Sequence, residues 1–216
     1  MNEPVFILKG NIIYSKSVKE FAVYEHSYLV CEEGKVKGVY QTLPFRLGGR
    51  PVRDFGDCLI IPGLVDLHTH APQYSFRGLG MDLELLDWLE TNTFPEEARY
   101  GSSEYAGTAY RIFADSMRKS AVTRACVFAT VHRDSTLILM DLLEKTGLDT
   151  FVGKVNMDRN APEYLREETE ESAEETLEWI RDVEHRKYAN TRPILTPRFI
   201  PSCTDGLLDV TLTGSE

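Results

Sequence analysis

An α/β fold with a parallel sheet, preceded by a small all-β segment, is what this 216-residue sequence predicts, and three features carry that expectation. From residue 59 onward, short apolar runs alternate with longer segments of helical periodicity, the pattern of β/α repeats. Leu59-Ile60-Ile61 and Leu64-Val65 form a nearly continuous apolar run, as in a strand covered on both faces. Before residue 59 the runs are short and separated by turn residues, which suits a small sheet.

Taken in order, Val5-Phe6-Ile7-Leu8, Ile12-Ile13-Tyr14, Ser27–Val30 and Val36–Tyr40 read as strands, with Glu33-Gly34-Lys35 as a hairpin turn between the last two. They assign residues 1–58 to the small sheet. Leu59–His70 follows as one strand, interrupted at Pro62-Gly63 where two sub-structures join. A helix is expected near Asp82–Asn92, capped by Asp82, with Leu83, Leu85, Leu86, Trp88 and Leu89 as a broad apolar face. Next come a helix near Ser103–Lys119, the strand Ala125–Val131, a helix over Ser135–Lys145 stopped by Gly147, and the strand Thr150–Val155. Thr169–Tyr188 is acidic in its first turns and basic near its end, a helix aligned with its own dipole and solvated on its charged face. Ile194–Phe199 is the last strand.

The chemistry concentrates at the end of the Leu59–His70 run. Side chains at i and i+2 of a strand share a face, so His68 and His70 can aim their imidazoles at one point, with Asp66 on the same side. Two neutral imidazoles converging in this way suit a divalent transition metal, most often zinc. His132 also falls at a strand end, but reads more readily as a helix-start or packing histidine.

Composition narrows the classes. The net charge of −10 argues against a nucleic-acid backbone as partner and leaves small molecules as the expected ligands. No apolar run has membrane-spanning length, and Met1-Asn2-Glu3-Pro4 lacks signal-peptide character, so a soluble cytoplasmic protein without membrane partners is expected. Cys31, Cys58, Cys126 and Cys203 are widely spaced and read as small buried thiols. Neither the His-x-Glu with Pro-Cys-x-x-Cys of one zinc deaminase class nor a Gly-x-Ser-x-Gly elbow occurs.

Pro62-Gly63-Leu64-Val65-Asp66-Leu67-His68-Thr69-His70 resembles the signature of the amidohydrolase superfamily. Ala71–Phe76, Leu86–Leu89 with Thr93–Pro95, Phe128–His132, Phe151–Val155 and Thr196–Phe199 are similar, in the same order, to blocks of the guanine deaminase family. The resemblance covers nearly all of the chain and about the first half of a family member. It implies a partial (β/α)8 TIM-type barrel of about the first four strands over residues 59–209, preceded by half of a β-sandwich; a complete barrel takes about 250 residues. The tail 210–216 departs from the family pattern, as a premature stop, a frameshift or a truncated gene model would make it. Ala121-Val122-Thr123-Arg124 departs too, replacing a Gly-Thr-Thr-Thr stretch and placing a charge where packing is expected.

In that family the first strand ends in two metal ligands, which implies one zinc per subunit held by His68 and His70, with two histidines and an aspartate from beyond residue 216. Barrel strands open their C-terminal ends onto the active site, which would gather His68, His70, His132 and Arg198 at one mouth. The resemblance also implies that Gln73, Arg198 and Phe199 line a guanine pocket: an amide with donor and acceptor, a donor fork for a ring carbonyl, and an apolar ring face. Trp88 reads as core, with a place near the mouth as the alternative. The catalytic glutamate is expected beyond Glu216, so no catalytic residue is expected within this chain, nor activity from the chain alone. The resemblance admits a homodimer. Two other readings stand beside it: a superfamily deaminase for another heterocycle, such as a triazine or pterin, and a non-catalytic fragment that binds a full-length partner.

Overall fold

Residues 5–213, the part of the chain described by the computed structural model, fall into two units, Met1–Gly63 and Leu64–Glu216. In the first, β1 (Phe6–Ser17), β2 (Glu20–Glu32), β3 (Lys35–Tyr40) and β4 (Val52–Ile60) form one sheet in the order β3-β2-β1-β4. The two short runs expected at residues 5–14 are one strand, because Gly10 to Ile12 is a register shift rather than a turn. Asn11 braces that irregularity: its Oδ1 accepts from the His26 backbone N–H at 2.9 Å and its Nδ2 donates to the Asp57 carbonyl at 3.0 Å. Glu33 and Gly34 both take positive φ, 52° and 68°, which makes the tight turn between β2 and β3. Ile7, Val30 and Leu47 form this unit's buried cluster.

β4 corrects the expected strand Leu59–His70. Leu59 and Ile60 pair in parallel with Asn11 and Ile12 of β1, and the next strand begins only at Leu64. Pro62 has no N–H to continue a ladder, and the polar Arg53, Asp54 and Asp57 hid β4 from a reading based on apolar runs. The cysteine reading is corrected at Cys58, which is exposed, while Cys31 and Cys203 are buried.

The second unit opens with β5 (Leu64–His70) and a 3-10 turn over Ala71–Phe76. α1 (Leu85–Trp88) runs through a π-helical turn at Leu89–Thr93 into α2 (Phe94–Arg99). The helix therefore starts later than Asp82. Its N-cap is Glu84 without a side-chain cap, after a stretch that Gly78 and Gly80 turn with φ of 83° and 65°. α3 (Ser103–Lys119) has the expected bounds, with Ser102 capping the Tyr105 N–H. There follow β6 (Val122–Phe128), α4 (Arg133–Glu144), β7 (Asp149–Gly153), β8 (Val155–Asn156), α5 (Thr169–Arg186), β9 (Thr191–Pro193), β10 (Thr196–Pro197) and α6 (Asp205–Thr213). Of the expected divergent tail, α6 includes residues through Thr213 and residues 214–216 lie outside the described residues.

β5, β6, β7 and β9 form a parallel sheet in that order, and β8 pairs in parallel with β10. The expected last strand, Ile194–Phe199, is thus shortened to β10, Thr196–Pro197, while β9 precedes it and joins the main sheet. Fully buried Trp179, Tyr110, Leu139, Met140, Leu143, Val127 and Val152 pack the helices on the sheet. A second cluster of Leu89, Phe94, Val131, Val155, Met157 and Leu165 lies against Phe128 and Phe199. Arg124 does not enter this packing; it is exposed and paired with Asp149 at 3.4 Å.

Glu144, at the end of α4, takes hydrogen bonds from the backbone N–H groups of Ala189, Asn190 and Thr191 at 2.9 to 3.0 Å and so fixes the entry to β9. Burial opposes its ionisation, but the backbone donors outweigh this and lower its pKa below the ordinary value. A lowered carboxylate contributes stability above its unfolded pKa and loses it as pH falls through the folded value. Glu144→Gln should therefore cost about 1–3 kcal/mol at pH 7. Denaturant titrations across pH 7 to 3 should show the gap to the parent closing on acidification; a gap independent of pH would contradict the assignment.

Candidate active site

β5 delivers its histidines as the strand's alternation requires. The Nε2 atoms of His68 and His70 lie 3.2 Å apart, with the rings 5.0 Å apart and inclined at 64°. Both rings rest on Phe128 of the neighbouring β6, with centroids 4.6 Å away in each case. Phe128 is the register partner of His70, so sheet pairing itself fixes the support for the pair. Burial, followed by the charge of Arg198 and the proximity of His68, pushes His70 down to about 3, so its imidazole is neutral at physiological pH.

The separation suits a shared cation. Two nitrogens held about 2.0–2.1 Å from one tetrahedral zinc lie about 3.3 Å apart, and a metal needs them unprotonated. The His70 Nδ1 is buried without a hydrogen-bond partner. Among the described residues no group of three or more His, Cys, Asp and Glu side chains is placed to hold a metal. Asp66 is not gathered with the pair in such a group, and its Oδ1 accepts from the His68 backbone N–H at 3.1 Å.

A cavity of about 640 Å³ opens beside the pair, and its wall includes His68, His70, Gln73, Trp88, Arg198 and Phe199. The 3-10 turn after β5 places Gln73, and the chain leaving β10 places Arg198 and Phe199. Trp88, read as core, is half-buried on this wall, with its indole N–H donating to the Leu79 carbonyl at 3.1 Å. Arg77, absent from the sequence reading, also lines the cavity and stacks on Tyr74 with 3.9 Å to the ring centroid.

Glu97 was missed as well. Its Oε2 accepts from Arg198 Nη1 at 2.6 Å, with the two side chains 1% and 4% exposed. Burial raises the Glu97 carboxyl above its ordinary range against the opposing pull of Arg198 and Gln73. Its Oε1 is buried without a hydrogen bond of normal geometry, so the influence of Gln73 is one of proximity. Glu97 follows Pro95 and Glu96 and reads in sequence as an ordinary acidic first turn; only its partner, 101 positions away, distinguishes it.

His132 is not gathered at this mouth, which corrects the expectation that strand-end position would bring it there. It is the N-cap residue of α4, its carbonyl accepts from the Thr136 N–H at 3.1 Å, and its ring lines a separate cavity with Arg133 and Glu167. The helix-start reading was the right one. Burial lowers its pKa, aided by the neighbouring Lys154.

Residues 59–213 match the amidohydrolase family. Guanine deaminase of Rattus norvegicus is 47% identical over 150 residues, covering 68% of this chain and 33% of the relative. Guanine deaminase of Dictyostelium discoideum is 34% identical over 224 residues, covering 96% and 50% respectively. Among solved structures, guanine deaminase from C. acetobutylicum with guanine bound in its active site superposes with a TM-score of 0.92 at 43% identity, covering 98% of this chain and 50% of that one. The chain thus spans between a third and a half of the length of these relatives.

Proposed function

Because the chain belongs to the amidohydrolase family, we propose that it carries the metal-anchoring and purine-binding half of a zinc-dependent guanine aminohydrolase, which converts guanine and water to xanthine and ammonia. The parallel sheet β5-β6-β7-β9 is, on this reading, the first part of a (β/α)8 barrel, and the β1–β4 sheet is half of a sandwich. The observation that carries the proposal is the convergence of His68, His70, Gln73, Arg198 and Phe199 on one cavity.

Bound zinc supplies a water acidified to a pKa of about 7. The work of this chain's own residues is to hold and orient. His68 and His70 would hold the zinc through their Nε2 lone pairs. Arg198 presents N–H donors to a ring carbonyl, Gln73 offers a donor and an acceptor to the neighbouring ring edge, and Phe199 covers a face of the heterocycle and excludes water. The remaining ligands and the proton-carrying glutamate lie, by family resemblance, beyond residue 216, so the chain alone does not turn guanine over.

Complementation tests this. Residues 1–216 should give no xanthine alone, and should give xanthine and ammonia in equal amounts once fused to the C-terminal half of the C. acetobutylicum enzyme and supplied with zinc. A soluble, zinc-loaded fusion that leaves guanine intact but deaminates a triazine or pterin would replace the substrate assignment. One inert toward all three would remove the enzymatic reading.

A further inference from the structure

We propose that Glu97 is a positioning residue of the purine pocket: it clamps the Arg198 guanidinium in one orientation and cancels its charge, so that the pocket takes a neutral ring carbonyl in preference to an anion. The inference rests on the purine-pocket reading above and adds to it the residue that sets the charge preference.

Glu97 is not on the cavity wall, so it acts through Arg198. α2 presents two supports for the guanidinium from one face, the Glu97 carboxylate at 2.6 Å and, three positions earlier, the Phe94 ring with its centroid 5.4 Å away. Glu96 faces the other way, pairing with Arg99 at 2.9 Å and taking the Ser75 hydroxyl at 2.8 Å. The Arg198 backbone N–H donates to the Asn156 carbonyl at 3.2 Å, so both ends of the residue are tied. With Nη1 committed to Glu97, the rest of the donor fork is available to the cavity.

Charge completes the argument. A buried arginine without a counter-ion would be an anion receptor and would oppose a cation at the adjacent His68–His70 pair. Glu97 converts it into a neutral pair that still donates hydrogen bonds. Arg77, the other guanidinium on the wall, is exposed and donates to the Tyr74 carbonyl at 2.7 Å. It leaves the inner charge balance to Glu97 and Arg198.

The test uses the 216-residue chain with two planar purines of different charge, neutral guanine and anionic urate, titrated by Trp88 fluorescence, together with the NMR hydrogen exchange of the Arg198 Nε–H. The parent should prefer guanine and show a protected Nε–H. Glu97→Gln should weaken guanine about tenfold or more and move the preference toward urate by about another tenfold. Glu97→Asp keeps the charge but shortens the reach, so guanine should weaken while the preference stays. Should Glu97→Gln fail to fold, Glu97→Asp and the charge-free double variant Glu97→Gln/Arg198→Gln carry the comparison, the double variant losing guanine without gaining urate. Unchanged guanine affinity and preference in the Glu97 variants would overturn the proposal. Should the parent bind neither purine, the pocket reading falls and the clamp is judged on exchange alone: loss of Arg198 protection in Glu97→Asp supports it, and unchanged protection removes it.

Discussion

His70→Ala in the fusion protein is expected to remove zinc and abolish deamination. On the proposed reading the two Nε2 atoms, 3.2 Å apart, are this chain's contribution to a shared cation, and no third His, Cys, Asp or Glu among the described residues is placed to replace a lost one. Removing only an outer-shell partner of a metal ligand typically costs about 10–100-fold in metal affinity, so loss of the ligand itself should cost at least about 100-fold. Xanthine formation should fall by about a thousandfold or more, equivalent to about 4 kcal/mol of barrier. His68→Ala should do the same. His132→Ala is the control, because its ring lines another cavity, and both zinc content and turnover should survive it. Elemental analysis of purified variants decides the matter: one zinc per chain retained in both His68→Ala and His70→Ala would sink the metal assignment.

The second large effect is on folding. Gly153 ends β7, and a Cβ placed there would collide with the Thr196 side chain and the Ile194 carbonyl, well inside van der Waals contact. The neighbours cannot easily move aside. The Ile194 N–H donates to the Val152 carbonyl at 3.0 Å, and the Thr196 hydroxyl donates to the Lys154 carbonyl at 2.7 Å. Gly153→Ala should therefore destabilise by about 3 kcal/mol or more, at the upper end of overpacking costs. For a unit of this size that lowers Tm by about 10 °C. Thr196→Ala should rescue it only in part, since the Ile194 backbone still obstructs. A calorimetric scan of Gly153→Ala matching the parent would show that the segment leading to Arg198 is not packed as described.

What could be read from sequence was local. His68 and His70 were visible because strand alternation needs only two residues of spacing, and α3 because helical periodicity lies within one continuous segment. Gln73, Arg198 and Phe199 came from family resemblance, since an amide in a turn and an arginine after a strand carry no local signature. Glu97 was invisible for a related reason: a buried carboxylate acquires meaning only from a partner far away in the chain. β4 escaped because its pairing with β1, not an apolar pattern, makes it a strand, and the helix expected from Asp82 starts only at Leu85, after a stretch that Gly78 and Gly80 turn. His132 lay open to two placements, at the strand-end mouth or at a helix start, and the helix it caps decides for the second.

In the second unit the order of strands across the main sheet is also their order of synthesis, β5, β6, β7, β9. Each new strand docks against the one most recently made, so the sheet can grow outward as the chain leaves the ribosome, without waiting for a distant segment to thread between earlier ones. Glu97 can find Arg198 only at the close of that sequence, which makes the completed wall of the cavity a late product of assembly.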